Sequence, residues 1–467
     1  MLICLKLNES KIMNSKLSIC IVSVIYIFIN AVLLFVAPYD THLEQGADAS
    51  SWYNPALSLL KHGAFVTLND PTVLQTYRPP LYPIFEAFML FIGNGNIILI
   101  IIGQIALLLL TGVMVYSMVE KILPNKGTMG LSLVIFNPNA LGTAHLVQSD
   151  ILYMFMVTTT LYLLLLYSTR GCFKLSVLIG LSFGLTCLVR TSGQYLILML
   201  PIIYVVIAFL KRSEQPLFTH FKHGLMALIV SVVVVFPWVQ HNANAGWGYT
   251  LTTPEIEIVY FRDNIIYLES ILSDVSLNDA ENKVTENEQK FILSYGKKWL
   301  QMSKQDRAST IVSYYKKQLL TYDYKTISIG FIDSWIGMFG AGGAVNLHNI
   351  LALGGDKSIQ VMANSKQHVS RVSAVFSALL NSNLIVIAIS LFSFIYVIAL
   401  RIFGLIGLFR MTKDRQYGLL FVLTGSIIYF TLIALFVGNS RYRLPIEPAL
   451  TIMAIYGFSF LVNKESK

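Results

Sequence analysis

Charged residues are scarce in this chain of 467 residues. Asp, Glu, Lys and Arg make up 13% of it, whereas a soluble domain carries about 25%. Hydrophobic residues make up 55%. A chain so poor in charge does not form an ordinary soluble domain, and its composition indicates several membrane spans.

Cysteine is also rare, and several common enzyme motifs are missing. The four cysteines contain no CxxC pair, so the spacing predicts neither a disulfide framework nor a zinc site. They are Cys4, Cys20, Cys172 and Cys187. The chain also has no GxxxxGK[ST], GxSxG or HExxH. These absences argue against an ATP-driven pump, a serine hydrolase and a zinc protease.

Long apolar runs are what the sequence has in abundance. They predict an all-α polytopic membrane protein with about ten transmembrane helices. The runs lie at 17–37, 97–119, 128–146, 151–168, 175–190, 194–210, 224–240, 373–400, 417–437 and 444–462. The first is too long for a signal-peptide core of about 7–15 residues, so we expect it to be a spanning helix.

The cationic residues predict which side each loop occupies. With the N-terminus in the cytoplasm and every run crossing, each cytoplasmic loop is basic, as the positive-inside rule expects. These loops contain Lys6, Lys11, Lys16, Lys121, Lys126, Arg170, Lys174, Lys211, Arg212, Lys222, Arg401, Arg410, Lys413, Arg415, Lys464 and Lys467. The pattern predicts a multi-pass plasma (inner) membrane protein with both termini cytoplasmic. It also explains the net charge of +9, so we predict no nucleic-acid partner.

The same topology divides the chain into three parts. Residues 1–240 form a transmembrane module whose first outer loop is 38–96, and residues 373–467 form the C-terminal transmembrane helices. Between them, 241–372 is a polar outer region that we expect to be mainly helical. Its glycine-rich stretch 326–354 is interpreted as interfacial or re-entrant, because a crossing there would put the basic loop 401–415 outside.

Four arginines stand on the outer side, against the charge bias. They are Arg78, Arg190, Arg441 and Arg443, and all lie near helix ends. A guanidinium binds phosphate through two parallel hydrogen bonds and keeps its proton, so a shared anionic partner is one explanation. The alternative is that each arginine reaches separately to the headgroups of membrane lipids.

Three other polar residues share that side. Asp48 begins an amphipathic stretch and Asp150 opens the fourth span, so each is either a site residue or a helix N-cap. His241 ends the seventh span, where it either contacts a phosphate or sugar or forms a polar helix end. The spans themselves contain almost no ionisable groups, which argues against an ion-coupled transporter.

Taken in order, these motifs resemble the GT-C superfamily of integral-membrane glycosyltransferases. The chain is similar to the bacterial branch related to protein O-mannosyltransferases (glycosyltransferase family 39) and to lipid A aminoarabinose transferases. The resemblance rests on "ADASSWYNPAL", "RPPLYP", the Ser149–Asp150 pair, Arg190, "PWVQHN" and "RYRLPIEP". Two features depart from the family pattern: His241 stands where an arginine is usual, and Asp48 has no adjacent acid.

The resemblance implies a sugar transfer on the outer face of the membrane. The donor would be a polyprenyl-phosphate sugar, with undecaprenyl phosphate as the carrier, and the acceptor a hydroxyl on a glycan, lipid or protein. Asp48 would be the general base of an inverting displacement, and Arg78, Arg190, Arg441 and Arg443 would bind the donor phosphate. Supporting or substrate-binding roles would fall to Tyr82, Asp150, His241 and Tyr442. No cofactor or metal site is implied, and a divalent metal is neither required nor excluded.

Two other functions remain open from the sequence. A polysaccharide repeat-unit polymerase or ligase also has outer arginines and a polyprenyl-linked substrate, yet it does not need Asp48 beside "RPPLYP". A flippase for a polyprenyl-linked lipid would bind the headgroup without making a bond. Loss of function in Asp48→Asn separates the transferase from the flippase.

Overall fold

The computed structural model describes residues 2–44, 48–351 and 384–465, with side chains from 17 to 462. The described structure is 80% helical, and its residues form no β-strand, only an isolated bridge between Val66 and Leu74. The protein is therefore an all-α polytopic membrane protein, as predicted.

The N-terminal half consists of long apolar helices joined by short ones. Its helices are α1 Leu2–Val36, α2 Thr41–Glu44, α3 Ala49–His62, α4 Leu81–Ile92, α5 Ile98–Ile122, α6 Gly127–Ile135, α7 Pro138–Ala144, α8 Asp150–Arg170, α9 Phe173–Val189, α10 Gln194–Ile197, α11 Leu200–Leu210 and α12 Leu217–Asn244. Helix α12 continues across residue 240, where the sequence places the end of the first module.

The second half begins with the outer region and ends in three long helices. Its helices are α13 Pro254–Leu272, α14 Leu277–Ser294, α15 Lys297–Gln301, α16 Lys304–Leu319, α17 Tyr324–Gly340, α18 Ala344–Ile350, α19 Leu384–Lys413, α20 Tyr417–Ala434, α21 Ser440–Arg443 and α22 Glu447–Glu465. The helical structure expected for this region is confirmed as far as residue 350, and its placement outside the membrane stays a prediction. The predicted boundary at 372/373 and the beginning of the run 373–400 lie outside the described residues.

Within the described ranges, seven helices are long and apolar enough to cross a membrane, or eight if one bent pair counts as a span. The seven are Leu17–Val36, Ile98–Ile122, Asp150–Arg170, Leu217–Asn244, Leu384–Lys413, Tyr417–Ala434 and Ser440–Val462. The bent pair, Thr191–Ile197 and Leu200–Leu210, changes direction by 65°. This is fewer than the ten runs of the sequence.

Two local features explain the lower number. The run 128–146 is broken between α6 and α7, because Pro138 lacks an N–H and restricts the residue before it. The Asn137 side chain caps the new helix by accepting hydrogen bonds from the backbone N–H groups of Asn139 and Ala140. Helix α9 is apolar but only 17 residues long, which is at the short limit for a span.

The basic stretch 401–415 is largely helical. Helix α19 extends to Lys413, so Arg401 and Arg410 lie on a helix where the sequence predicts a loop. The stretch 326–354 forms α17 and α18 as far as Ile350, and 352–354 lies outside the described residues.

A glycine contact holds the outer region against the C-terminal helices. A Cβ placed on Gly438 would stand 1.9 Å from the carbonyl oxygen of Ser334 in α17. Only glycine allows the two backbones to approach so closely. The contact fixes the chain just before Arg441.

Candidate active site

The segment 75–83 carries Arg78 into a fixed position. Pro79 and Pro80 follow it directly, and α4 begins immediately after Pro80. Proline disfavours a helical backbone in the residue before it, so Arg78 stays outside the helix. Tyr82 anchors the start of α4, because its buried hydroxyl donates a 2.9 Å hydrogen bond to Oε1 of Gln104.

Asp48 lies between two of the outer arginines. Its Oδ1 is 3.1 Å from Nη2 of Arg78, and its Oδ2 is 3.0 Å from Nη1 of Arg441. Asp48 stands at the N-cap position of α3, yet its side chain makes no capping hydrogen bond. The carboxylate is thus held by ion pairs and is 38% exposed.

Asp150 is buried and pairs with Arg190 and, like Asp48, with Arg441. Its Oδ2 is 2.7 Å from Nε of Arg441 and 2.8 Å from Nη2 of Arg190. The Asp150 side chain is 1% exposed, and it lies in the first turn of α8, where the helix dipole favours a negative charge. Ser149 accepts a 2.9 Å hydrogen bond from Nε of Arg190.

These five side chains form one network, which we call the arginine–aspartate cluster. It consists of Asp48, Arg78, Asp150, Arg190 and Arg441. Arg441 connects the two aspartates, although it is 393 residues from one and 291 from the other. The three arginines are about one-sixth exposed and paired with carboxylates, so they do not extend freely to lipid headgroups.

Aromatic rings and hydroxyls hold Arg78 from its other sides. Its guanidinium carbon lies 4.5 Å from the ring centre of Trp52 and 4.8 Å from that of Tyr77, within the range of a cation–π interaction. Its Nε donates a 2.8 Å hydrogen bond to Oγ of Ser51. The guanidinium is therefore oriented before any ligand arrives.

The electrostatics of the cluster favour a charged Asp48. Burial alone raises the pKa of this carboxyl, but the charges of Arg78 and Arg441 outweigh it, and the net effect is a lowered pKa. The paired groups are three guanidiniums and two carboxylates, which leaves one positive charge in excess. Nη2 of Arg441 is buried and has no partner among the described residues.

Arg443 does not join this cluster. It is fully buried and pairs with Glu447, which also contacts Arg401 at 3.3 Å. Its Nη1 donates to the carbonyl oxygens of Met338 and Ala341. Arg441 and Arg443 are two residues apart on α21, and side chains at that spacing face different directions.

The other predicted residues lie around the cluster. His241 contacts the backbone oxygen of Gln75 at 2.9 Å and stacks on Trp238, so it supports the segment that leads to Arg78. Tyr442 follows Arg441 and is 39% exposed. Tyr82 is buried behind the site.

The sequence motifs do not include Asp263, a carboxyl that is close enough to Asp48 to interact with its charge. It lies on α13, within one turn of Tyr260 and Asn264, which attach this helix to the chain preceding Arg441. The Tyr260 hydroxyl donates to the carbonyl oxygen of Ile433 at 2.9 Å, and Oδ1 of Asn264 accepts from the Phe436 N–H at 2.9 Å. Desolvation, with added repulsion from Glu281 and Asp48, raises the pKa of Asp263 against the lowering effect of Arg262.

Potential metal ligands do not gather in the part of the chain that the structure describes. No three His, Cys, Asp or Glu side chains come together there as the ligands of one ion.

Comparison with known families gives one match in sequence. Residues 77–241 match the family described as dolichyl-phosphate-mannose-protein mannosyltransferase. This segment contains Arg78, Tyr82, Asp150, Arg190 and His241, and it is roughly a third of the chain. No curated protein matches the chain.

Two of the solved structures with a similar fold are of the oligosaccharyltransferase from Archaeoglobus fulgidus. The apo crystal structure aligns with a TM-score of 0.51 and 14% identity, covering 96% of this chain and 51% of the other. The structure tethered to an acceptor peptide with the NVT sequon aligns with a TM-score of 0.52 and 14% identity, covering 96% of this chain and 50% of the other. This chain has the GT-C fold. The resemblance seen in the motifs is thus confirmed.

The match to the solved structures is limited in length and in sequence identity. The chain spans about half the length of the solved structures that it matches. At 14% identity the likeness establishes the fold alone. The fold and the apolar helices together establish that this is a multi-pass membrane protein.

Proposed function

We propose that this protein is a membrane glycosyltransferase. It moves a sugar from a polyprenyl-phosphate donor, with undecaprenyl phosphate as the carrier, to an acceptor hydroxyl on the outer face of the plasma membrane. The observation that carries the proposal is the position of Asp48, a partly exposed carboxylate held between Arg78 and Arg441. A base beside a group of fixed cations suits a reaction that removes a proton and releases a phosphate.

The donor phosphate binds to Arg78, Arg190 and Arg441 in this proposal. The excess positive charge of the cluster and the unpartnered Nη2 of Arg441 support an anionic ligand. The phosphate competes with Asp48 for its two arginines, which frees carboxylate oxygens for the acceptor. Arg443 is left out of the phosphate site because it is buried against Glu447, and we assign it a positioning role.

The chemical step is a single displacement. The acceptor oxygen forms a bond to the anomeric carbon while the bond from that carbon to the phosphate oxygen breaks. Asp48 takes the hydroxyl proton, and the bonding electrons leave with the polyprenyl phosphate. One displacement inverts the anomeric centre. The arginines stabilise the negative charge that grows on the leaving phosphate, so the step requires no cofactor, and a divalent metal is neither required nor excluded.

The base in this step is a weak one. An aspartate has an unperturbed pKa of about 3.9, and the pKa of Asp48 is lower still in the cluster. Proton transfer therefore comes late, when the attacking hydroxyl has already become acidic by bonding. Acceptors reach Asp48 from its open side, since this side chain is 38% exposed.

Replacement of Asp48 by Asn tests the assignment of the base. We expect transfer from a synthetic polyprenyl-phosphate sugar to fall by about 10²–10⁴-fold, which is the usual contribution of a general base. Asp40→Asn changes another exposed outer acid and serves as the control. Full transfer by Asp48→Asn would refute the assignment of Asp48 as the general base, whereas a wild-type protein that transfers no sugar would favour a flippase.

Replacement of Arg78 by Ala tests the phosphate site. Donor affinity, measured by calorimetry with polyprenyl phosphate in detergent, should fall by about tenfold or more, because a hydrogen bond to a charged group is worth about 1.5–3 kcal/mol. Arg262→Ala removes an arginine of the outer region and controls for charge. Equal donor affinity in Arg78→Ala and the wild type would refute a phosphate role.

A further inference from the structure

A second concave site lies on the outer region, which we call the outer groove. It runs between α14 and α16 and has a volume of about 540 Å³. Small-ligand sites in proteins usually measure about 300–1,000 Å³. Its principal lining residues are Phe291, Tyr295, Asp306, Ser309, Thr310 and Tyr314.

The helical period explains why this face of α16 remains open. Ala308, Val312 and Tyr315 are buried, and Tyr315 belongs to the core that α13 shares with this helix. Residues 306, 309, 310 and 313 follow the opposite side at intervals of three and four. The polar face of the helix therefore forms one wall of the groove.

The groove combines aromatic rings with free hydroxyls. Phe291 and Tyr314 stack with ring centres 4.3 Å apart, and Tyr295 meets Phe291 edge-on at 5.3 Å. The hydroxyls of Tyr295, Tyr314, Ser309 and Thr310 have no hydrogen-bond partner among the residues that the structure describes. Hydroxyls that the fold does not use are available to a ligand, beside ring surfaces that line the same groove.

A side-chain connection links the groove to the segment that carries Arg78. Nε1 of Trp247 donates a 2.9 Å hydrogen bond to Thr76, two residues before that arginine. The Trp247 carbonyl accepts from Gln305 at 3.2 Å, and Lys304 lies 4.3 Å from the centre of its ring. The next residue, Asp306, lines the groove. One end of the groove is therefore connected through Gln305 and Trp247 to the segment that carries Arg78.

We propose that the outer groove binds the acceptor and that the acceptor is a carbohydrate chain. A sugar ring has a C–H face that packs on an aromatic ring and a rim of hydroxyls that both donate and accept hydrogen bonds. The groove offers the same two elements, since its Ser, Thr and Tyr hydroxyls both donate and accept. The acceptor chain lies along α16 and directs its terminal hydroxyl towards Asp48. This assignment rests on the proposed glycosyltransferase function.

Direct binding tests the assignment without requiring transfer. The full chain, in lipid nanodiscs, is applied to an array of immobilised oligosaccharides that also carries nine-residue peptides. The best-bound oligosaccharide is then titrated in solution against Tyr295→Ala and Ser313→Trp. The first variant removes an aromatic contact, and the second fills the groove from an exposed position. Tyr324→Ala removes an exposed tyrosine elsewhere on the outer region and is the matched control.

We expect the wild type to bind a subset of the oligosaccharides. Both groove variants should bind about tenfold more weakly, a change of about 1.4 kcal/mol. Tyr324→Ala and Asp48→Asn should bind as the wild type does. The proposal is overturned if no oligosaccharide binds, if only peptides bind, or if both groove variants keep full affinity.

The two proposals can fail separately. Sugar transfer that persists while the groove variants bind normally would refute the groove and leave the enzyme assignment intact. Groove-dependent oligosaccharide binding by a protein that transfers no sugar would refute the enzyme assignment and leave the groove.

Discussion

Asp48 has an environment that keeps its carboxylate charged. Two guanidiniums within 3.1 Å outweigh the effect of its partial burial. A general base must be unprotonated to act, and a lowered pKa preserves that form as the pH falls. The same charges weaken Asp48 as a base, which is why the proposed proton transfer is late.

The pH dependence of the reaction tests this electrostatic argument. With the pKa of Asp48 below its ordinary value of about 3.9, kcat/KM should be constant from about pH 8 to about pH 5 and decline only at lower pH. The measurement is a kcat/KM profile at constant ionic strength, because kcat/KM reports the ionisations of the free enzyme. An acidic limb near pH 6 would show that a different group is the base.

Arg441 and Arg443 show how closely spaced residues acquire different roles. Both belong to "RYRLPIEP", and the sequence assigns both to the donor phosphate. In the structure Arg441 bridges Asp48 and Asp150, whereas Arg443 is enclosed with Glu447. The difference arises from the angular spacing of α21, because a step of two residues turns a side chain to another side of the helix.

At the scale of elements, Trp247 connects the outer region to the site. Its hydrogen bond to Thr76 joins the loop after α12 to the segment before Arg78. His241, on the last turn of α12, contacts the neighbouring Gln75 backbone. Two contacts from one part of the chain thus hold the loop that presents the arginine.

Trp247→Phe removes the indole N–H and keeps an aromatic ring at that position. A neutral hydrogen bond is worth about 0.5–1.5 kcal/mol, so we expect the donor KM to increase by about two- to tenfold in a protein that remains folded. Trp299→Phe, on the outer region, is the control. An unchanged donor KM would mean that the loop does not depend on this contact.

At the scale of the whole molecule, the orientation in the membrane stays a prediction from loop charges. The basic loops place both termini in the cytoplasm and the arginine–aspartate cluster outside. The outer region carries the proposed acceptor groove, so the same orientation is required by both proposals.

Cysteine labelling tests this orientation. In a background with the four native cysteines replaced by serine, Lys298→Cys should react with a membrane-impermeant maleimide in intact cells. Lys126→Cys, between α5 and α6, should react only after the membrane is opened. The reverse pattern would place the site in the cytoplasm and would contradict the predicted topology.

Periodicity and charge by themselves determined the class of this protein, because a membrane requires long apolar helices and biases the charges of the loops between them. The ordered motifs also indicated the GT-C resemblance. They singled out Asp48, Arg78, Asp150 and Arg190 as candidate site residues, and all four belong to the arginine–aspartate cluster. Each of these stands at a helix end or beside proline, where its local sequence is distinctive.

Only the tertiary structure decided which of these residues meet. It joined Arg441 to both aspartates, separated Arg443, and placed Asp263 where its charge interacts with that of Asp48. The break of the run 128–146 at Pro138, by contrast, follows from the local chemistry of proline, which hydropathy alone does not consider. Contacts between residues that are hundreds of positions apart depend on how the helices pack. The linear pattern of residue types does not predict that packing.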